Sequence, residues 1–284
     1  MKRKISVILA ILMVLSFVTG CTQKQPANST PKATDTGATP AASNPEAEPI
    51  TFTVGFDAEF PPFGFIAEDG SYDGFDLALA KEVCKRLGWT YVAQPIVWNS
   101  KDAELSSGNI DCIWNGFTKS KERLDKYAWT DAYYDNSIVV VVKADSGINT
   151  LADLAGKTVI VQAASSGLTA LEENTELTNT FGQLNETADY NSAFMELDQG
   201  TADAVVADAG VANYNIASKK GNYKILDEAV SSEVYAVGFL LGNDEMAATV
   251  WKTLEEIAAD GTMAAIADKY VEYGLVKESL TLLY

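Results

Sequence analysis

The chain has 284 residues, with 39 acidic side chains against 21 lysines and arginines and no histidine. A formal charge of −18 opposes phosphate backbones and argues against a nucleic-acid partner. Without histidine there is no Ser-His-Asp or Cys-His nucleophile system and no His-containing zinc site, so no cofactor and no metal are expected. Lys, Asp and Glu remain able to run acid–base chemistry.

The first segment has the layout of an export signal. Lys2, Arg3 and Lys4 form a basic start, Ile5 to Val18 an apolar run too short for a comfortable membrane span, and Thr19-Gly20 a small-residue step into Cys21. Val18-Thr19-Gly20-Cys21 resembles a bacterial lipobox, in which the cysteine is lipidated and becomes the new N-terminus. Residues 1–20 are therefore read as a lipoprotein signal peptide. Their removal takes three positive charges and no acid, moving the formal charge from −18 to −21. Residues 21–49 are read as the lipidated Cys21 and a disordered tether. From residue 22 on, this stretch has no Leu, Ile, Val, Phe, Tyr or Trp and holds five of the eight prolines, too little apolar surface to offset its ordering entropy. The expected location is the outer face of the cytoplasmic membrane, held there by lipid.

From Thr51 the pattern alternates between strand and helix. TFTVGF reads as a strand, and FDLALAKEVCKRLG has apolar residues at helical spacing up to Gly88. TYVAQPIV is a second strand, SKDAELSSG a short helix with Ser100 as its N-cap, and IDCIW a third strand. NSIVVVVKA is a continuous β-branched run, as in a strand buried on both faces. LADLAG reads as a helix, KTVIVQ as a strand, SSGLTALEEN and NSAFMELDQG as helices, ADAVVAD as a strand and AGVANYNIASKK as a helix. EVYAVGFLLG is a further strand, and DEMAATVWKTLEEIAA and TMAAIADKYVEYG are closing helices. The alternation predicts an α/β fold with mainly parallel sheets, and the length of the folded body predicts two lobes. Cys84 falls on the core face of its helix and Cys112 within an apolar strand. Export permits a disulfide between them, but two buried thiols are the favoured reading.

In open α/β sheets small ligands bind beyond the carboxyl ends of strands. Asp57 and then EFPPFGF, with Phe60, follow the first strand. Trp98 follows the second; Asn115, Gly116 and Thr118 follow IDCIW, with Arg123 shortly after. Ser165 and Ser166 follow KTVIVQ and open a helix, and Asp208 ends ADAVVAD at another helix start. Each has a plainer reading: Ser165, Ser166 and Asp208 as helix caps, Phe60 and Trp98 as core, Asp57 as the acceptor of a neighbouring backbone N–H.

Through GFDAEFPPFGF, YDGFDLALAKEVCKRLG, GNIDCIWNGFTKSKER, YAWTDAYY, LADLAGKTVIVQ, GTADAVVAD and ADGTMAAIADKY, residues 51 to 275 resemble the bacterial extracellular solute-binding proteins, family 3, the polar amino-acid-binding components of ABC importers. The resemblance implies a type II periplasmic-binding-protein fold, with two α/β lobes joined by two β crossovers around an interlobe cleft. It places lobe 1 at 50–135 plus 236–284 and lobe 2 at 136–235. It further implies that Arg123 forks onto the ligand's α-carboxylate, with a backbone donor from Thr118 and an N–H from Ser166 or Ser165 at a helix N-terminus. Gly116 would offer its carbonyl, and Asp208 its carboxylate, to the α-ammonium. Phe60 and Trp98 match positions that sandwich the ligand side chain, and Asp57 one that faces a cationic distal end. Two departures stand out: Gly116 replaces a common Ser, and Ala163-Ala164 precede Ser165 where Gly is common. The expected ligand is a cationic L-amino acid, with glutamine and then cystine next. The expected partners are that ligand, an ABC permease with its ATPase, and the membrane through Cys21. A monomer without catalytic activity is expected, and a dehydratase-like enzyme on the same scaffold is the alternative.

Overall fold

The computed structural model describes residues 50–219 and 222–284; the expected signal peptide, Cys21 and tether to residue 49 lie outside the described residues. Strand β1 (Thr51–Phe56) leads into a small antiparallel sheet of β2 (Glu59–Phe60), β3 (Gly64–Ile66) and β4 (Tyr72–Asp73), then helix α1 (Phe75–Leu87). Next come β5 (Thr90–Pro95), a 3₁₀ turn at Trp98–Ser100, α2 (Lys101–Ser107), β6 (Cys112–Ile113), a 3₁₀ turn at Lys121–Arg123 and β7 (Tyr127–Trp129). The chain then builds a second sheet region. It contains β8 (Tyr134–Lys143), β9 (Thr158–Gln162), α3 (Ser166–Glu173), α4 (Thr175–Thr178), β10 (Gln183–Thr187), α5 (Tyr190–Gln199) and β11 (Ala204–Asp208). It continues through α6 (Ala209–Lys219), β12 (Tyr223–Ile225) and β13 (Ser231–Tyr235). Finally β14 (Gly238–Leu240) returns to the first sheet and α7 (Asp244–Ala259) and α8 (Thr262–Ala267) follow.

The first sheet has the order β5-β1-β6-β14-β7, with β5, β1 and β6 parallel and β14 antiparallel to β6 and β7. The second runs β10-β9-β11-β8-β12, with β13 also paired to β8. Two connections join the sheets, one after Trp129 and one after Tyr235. They run side by side: the Thr130 N–H donates to the Val237 carbonyl at 3.1 Å, and that of Tyr133 to the Tyr235 carbonyl at 2.9 Å. The result is two α/β lobes sharing a double hinge.

Each sheet is held by apolar burial. Phe52, Val54 and Phe56 on β1 pack with Leu79, Ala80 and Val83 of α1, each such side chain contributing about 1.5–3 kcal/mol on leaving water. On β8, Ile138, Val140 and Val142 face one core and Val139 and Val141 another. A strand whose alternate residues are both buried needs an unbroken apolar run, and NSIVVVVKA supplies it. Cys84 and Cys112 are buried free thiols.

Several elements differ from their sequence reading. Ser100 makes no side-chain cap on α2, because it closes the preceding 3₁₀ turn. IDCIW contributes only two strand residues, and TYVAQPIV stops at Pro95, which has no N–H of its own to extend the ladder. LADLAG forms a single 3₁₀ turn with a capping box from Thr150 and Asp153. TMAAIADKYVEYG divides into α8 and a 3₁₀ turn at Val271–Tyr273. EVYAVGFLLG is two strands in two different sheets, parted at Ala236-Val237 where the chain crosses the hinge. Strand alternation is blind to a change of sheet, so the break left no mark in the pattern.

Candidate functional site

Register brings the strand ends together. Phe56 pairs with Pro95 and Gly55 with Ile113, so Asp57, Trp98 and Asn115 leave the first sheet at one edge. In the second sheet Val161 pairs with Val206 and Asp208 with Ile138, so Ser165, Ser166 and Asp208 share an edge as well. The two edges face each other across the hinge.

Asp57 is buried. Its Oδ1 accepts from the Glu59 amide at 2.9 Å, and its Oδ2 from Gln162 Nε2 of the other lobe at 2.7 Å. Burial raises its pKa, partly offset by the Glu59 amide and the Gln162 side chain. Phe60 packs its ring 5.8 Å from those of Phe63 and Tyr190. Trp98 is 7% exposed and carries the Lys101 ammonium 5.1 Å from its ring centroid.

Asn115 is buried with neither side-chain polar atom bonded. Gly116 has φ 54, and a Cβ there would stand 2.7 Å from Phe60 Cε1 and 3.0 Å from Tyr235 Cε2. Both the left-handed backbone and the ring contacts require glycine here. The Gly116 N–H donates to Asp76 Oδ2 at 2.6 Å, fixing the turn. Thr118 directs its hydroxyl to Glu233 Oε1 at 2.9 Å. Arg123 stacks its guanidinium 4.9 Å from the Phe117 ring and reaches the carbonyls of Thr118 at 3.2 Å and of Ala164, across the cleft, at 3.5 Å. No ion pair engages Arg123 among the described residues.

Ser165 is the N-cap of α3, accepting from Leu168 N at 3.1 Å. Ser166 is the first residue of that helix and directs its hydroxyl to Glu233 Oε1 at 3.2 Å. The leading amides of α3 have no acceptor within the helix and carry its positive dipole end. Before them, Ala164 has φ 56, the one positive value outside glycine among the described residues. Asp208 is 3% exposed and accepts from Tyr235 Oη at 2.6 Å, Asn136 Nδ2 at 2.9 Å and Tyr190 Oη at 3.0 Å.

Sequence reasoning missed three charged or polar groups. Lys101 is 5% exposed; its Nζ lies 3.3 Å from the Ala164 carbonyl, beside Arg123, and burial lowers its pKa to about 8. Its position four residues before the buried Leu105 was a signal that it faces inward. Gln162 ends β9. Glu233 stands opposite Asn136 in the β13–β8 ladder, and burial, then the Asp208 charge, raise its pKa to about 7. It shares a strand face with the buried Tyr235, which alternation alone makes legible. Glu233 thus adds a further acid beside Asp208. A cavity of about 450 Å³ opens over Thr118, Arg123, Ser166, Thr169 and Glu233.

The arrangement offers a guanidinium and a helix N-terminus for an anion, a hydrogen-bonded carboxylate for a cation, and a further buried acid, Asp57. The profile of the bacterial extracellular solute-binding proteins, family 3, matches residues 52–273. The L-cystine-binding protein TcyJ of Escherichia coli K12 is 28% identical over 222 residues, covering 78% of this chain and 82% of the relative. The solved ABC uptake transporter substrate-binding protein from Streptococcus pneumoniae with bound histidine superposes with a TM-score of 0.77 at 34% identity, over 81% of this chain and 94% of that one. An ancestral arginine-binding protein bound to glutamine superposes at 0.72 with 35% identity, over 78% and 98%.

Proposed function

The chain belongs to the bacterial extracellular solute-binding proteins, family 3, and from that premise we propose that it captures a polar L-amino acid outside the cell and delivers it to an ABC permease. The two lobes, 50–135 plus 236–284 and 136–235, close over the ligand by rotation at the double hinge, and no bond in the ligand changes. Arg123 and the α3 amides take the α-carboxylate; Asp208 and the Gly116 carbonyl take the α-ammonium. The observation that carries this reading is the opposition of Arg123, on one lobe, to Asp208 and the α3 N-terminus on the other. Head groups of free amino acids present one anion and one cation at a fixed short separation, which such an opposition fits.

For the side chain, buried Asp57, whose two donors Glu59 N–H and Gln162 are both neutral, favours a cationic partner. Arginine and its cationic analogues come first, glutamine second and cystine third. The relatives named above are a cystine-binding protein, a substrate-binding protein with bound histidine and an arginine-binding protein bound to glutamine, and all of these ligands are polar amino acids. A thermal-shift panel of the twenty amino acids with ornithine and cystine tests both levels, since a ligand that binds only the native state raises Tm. A largest shift from leucine or glutamate, with arginine, lysine and glutamine inert, removes the role given to Asp57. No shift from any compound removes the amino-acid reading.

Glu233 favours one competing reading, because a dehydratase-like enzyme needs a proton donor in the cleft. Incubation with a cyclohexadienyl carboxylate, followed by absorbance for an aromatic product, decides it. Anchoring through Cys21 is checked by mass spectrometry of membrane-extracted protein; an unmodified Cys21 there rules the anchor out.

A further inference from the structure

Two carboxyl groups converge where the ligand's ammonium is placed. Asn136 Nδ2 lies 2.9 Å from Asp208 Oδ1 and 2.9 Å from Glu233 Oε1, so one amide nitrogen spans both acids. The register makes this unavoidable: Asn136 is opposite Glu233 in the β13–β8 ladder, and Asp208 pairs with Ile138, two residues along β8 on the same face. Thr118 Oγ1, Asn136 Nδ2 and Ser166 Oγ all approach Glu233 through Oε1, at 2.9, 2.9 and 3.2 Å. Oε2 is thereby left to carry a proton, and the two carboxyls are held together by the single Asn136 nitrogen that both accept from.

Two carboxylates bridged by one amide nitrogen and shielded from water do not both ionise readily, and they hold one proton between them. The donors decide which of the two carries it. Tyr235, Tyr190 and Asn136 all act on Asp208 and stabilise its charge. Glu233 has as many donors, but Thr118, Asn136 and Ser166 all act on Oε1 alone, whereas those of Asp208 cover both of its oxygens, and Glu233 faces the Asp208 charge. The facing groups are therefore Asp208 from β11, Asn136 from β8, Tyr235 from β13, Tyr190 from α5, Ser166 from α3, and Thr118 with the Arg123 guanidinium from the first lobe. Arg123 feels both acids but spends its hydrogen bonds on carbonyls.

We propose that Glu233 is a second ammonium-binding residue, that before capture it and Asp208 hold one proton between them, and that the ligand's α-ammonium displaces this proton, so that capture is coupled to proton release. This deepens the amino-acid reading and rests on it. The step balances simply: the Glu233 O–H bond breaks, the proton passes to solvent, and an ammonium N–H takes its place between the two carboxylates. No other group is oxidised, reduced or transferred.

The test is calorimetric titration with L-arginine, L-glutamine and L-cystine at pH 6 and pH 8.5, each in two buffers of unlike ionisation enthalpy. The inference expects release of about one proton per ligand at pH 6 and close to none at pH 8.5, with Kd improving toward higher pH and levelling above about 7. Glu233→Gln is expected to abolish the buffer dependence and flatten the pH profile, with binding at pH 8.5 weakened at least about tenfold. Binding whose enthalpy is the same in both buffers at pH 6 overturns the inference and leaves the amino-acid reading standing, as does proton release undiminished in Glu233→Gln. Binding by none of the three ligands removes the amino-acid reading and this inference with it. Should Glu233→Gln fail to fold, the wild-type Kd between pH 5.5 and 8.5 decides the matter, a flat profile being the overturning result.

Discussion

Gln162, the last residue of β9, donates its amide to Asp57 Oδ2 across the cleft at 2.7 Å, so the lobes meet at the acid that follows β1. Asp57→Asn keeps the shape and an acceptor for Gln162 but removes the charge. Hydrogen bonds to charged groups contribute about 1.5–3 kcal/mol, so arginine binding should weaken by about that much while glutamine binding changes far less. Calorimetry with both ligands checks it, and equal losses would show that Asp57 does not read the side chain.

Arg123→Ala should weaken every amino-acid ligand alike, because the guanidinium is assigned to the group they share. Removing one partner of a buried charged pair costs about 3–5 kcal/mol, a factor of a few hundred or more in Kd. Under tenfold loss by calorimetry would sink the assignment.

Ala164 holds φ 56 just ahead of the α3 cap, a conformation costing a non-glycine residue roughly 1–2 kcal/mol. Glycine relieves that strain but adds freedom to the unfolded chain, about 0.5–1 kcal/mol against it. Ala164→Gly should therefore stabilise by about 0.5–1 kcal/mol, and Ala164→Val should destabilise. Urea midpoints of the three proteins measure both; a Gly variant less stable than wild type contradicts the strain.

Asp76 is fully buried. Its Oδ2 accepts from the Gly116 amide at 2.6 Å and from Tyr133 Oη at 2.7 Å, and its Oδ1 has no partner. Burial lifts its pKa from 3.8 to about 7 despite those two donors. The folded protein thus holds a proton that the unfolded chain gives up, so this group's contribution is full below about pH 4 and is lost as pH rises to about 7. Asp76→Asn keeps both accepted bonds and cannot ionise. Relative to wild type it should gain a few kcal/mol between pH 5 and 8, read as the difference in denaturant midpoints. A difference independent of pH would mean that Asp76 is already charged.

The residues that follow strands were legible because a strand's end is written locally: Asp57 after TFTVGF, Trp98 after TYVAQPIV and Asp208 at the close of ADAVVAD each stand where alternation stops. The β-branched run before Ala144 likewise declared a strand buried on both faces. What alternation and helical spacing do not encode is which strand lies beside which. Glu233 lies 97 residues from Asn136, and Gln162 lies 105 from Asp57; these contacts exist only because β8 pairs with both β11 and β13 and the hinge turns the two sheet edges together. Lys101 met Arg123 at one carbonyl for the same reason. Local pattern determined the elements and the faces they bury, whereas burial by a distant neighbour decided which acids keep a proton, because desolvation is a property of the assembled lobes and of no single segment.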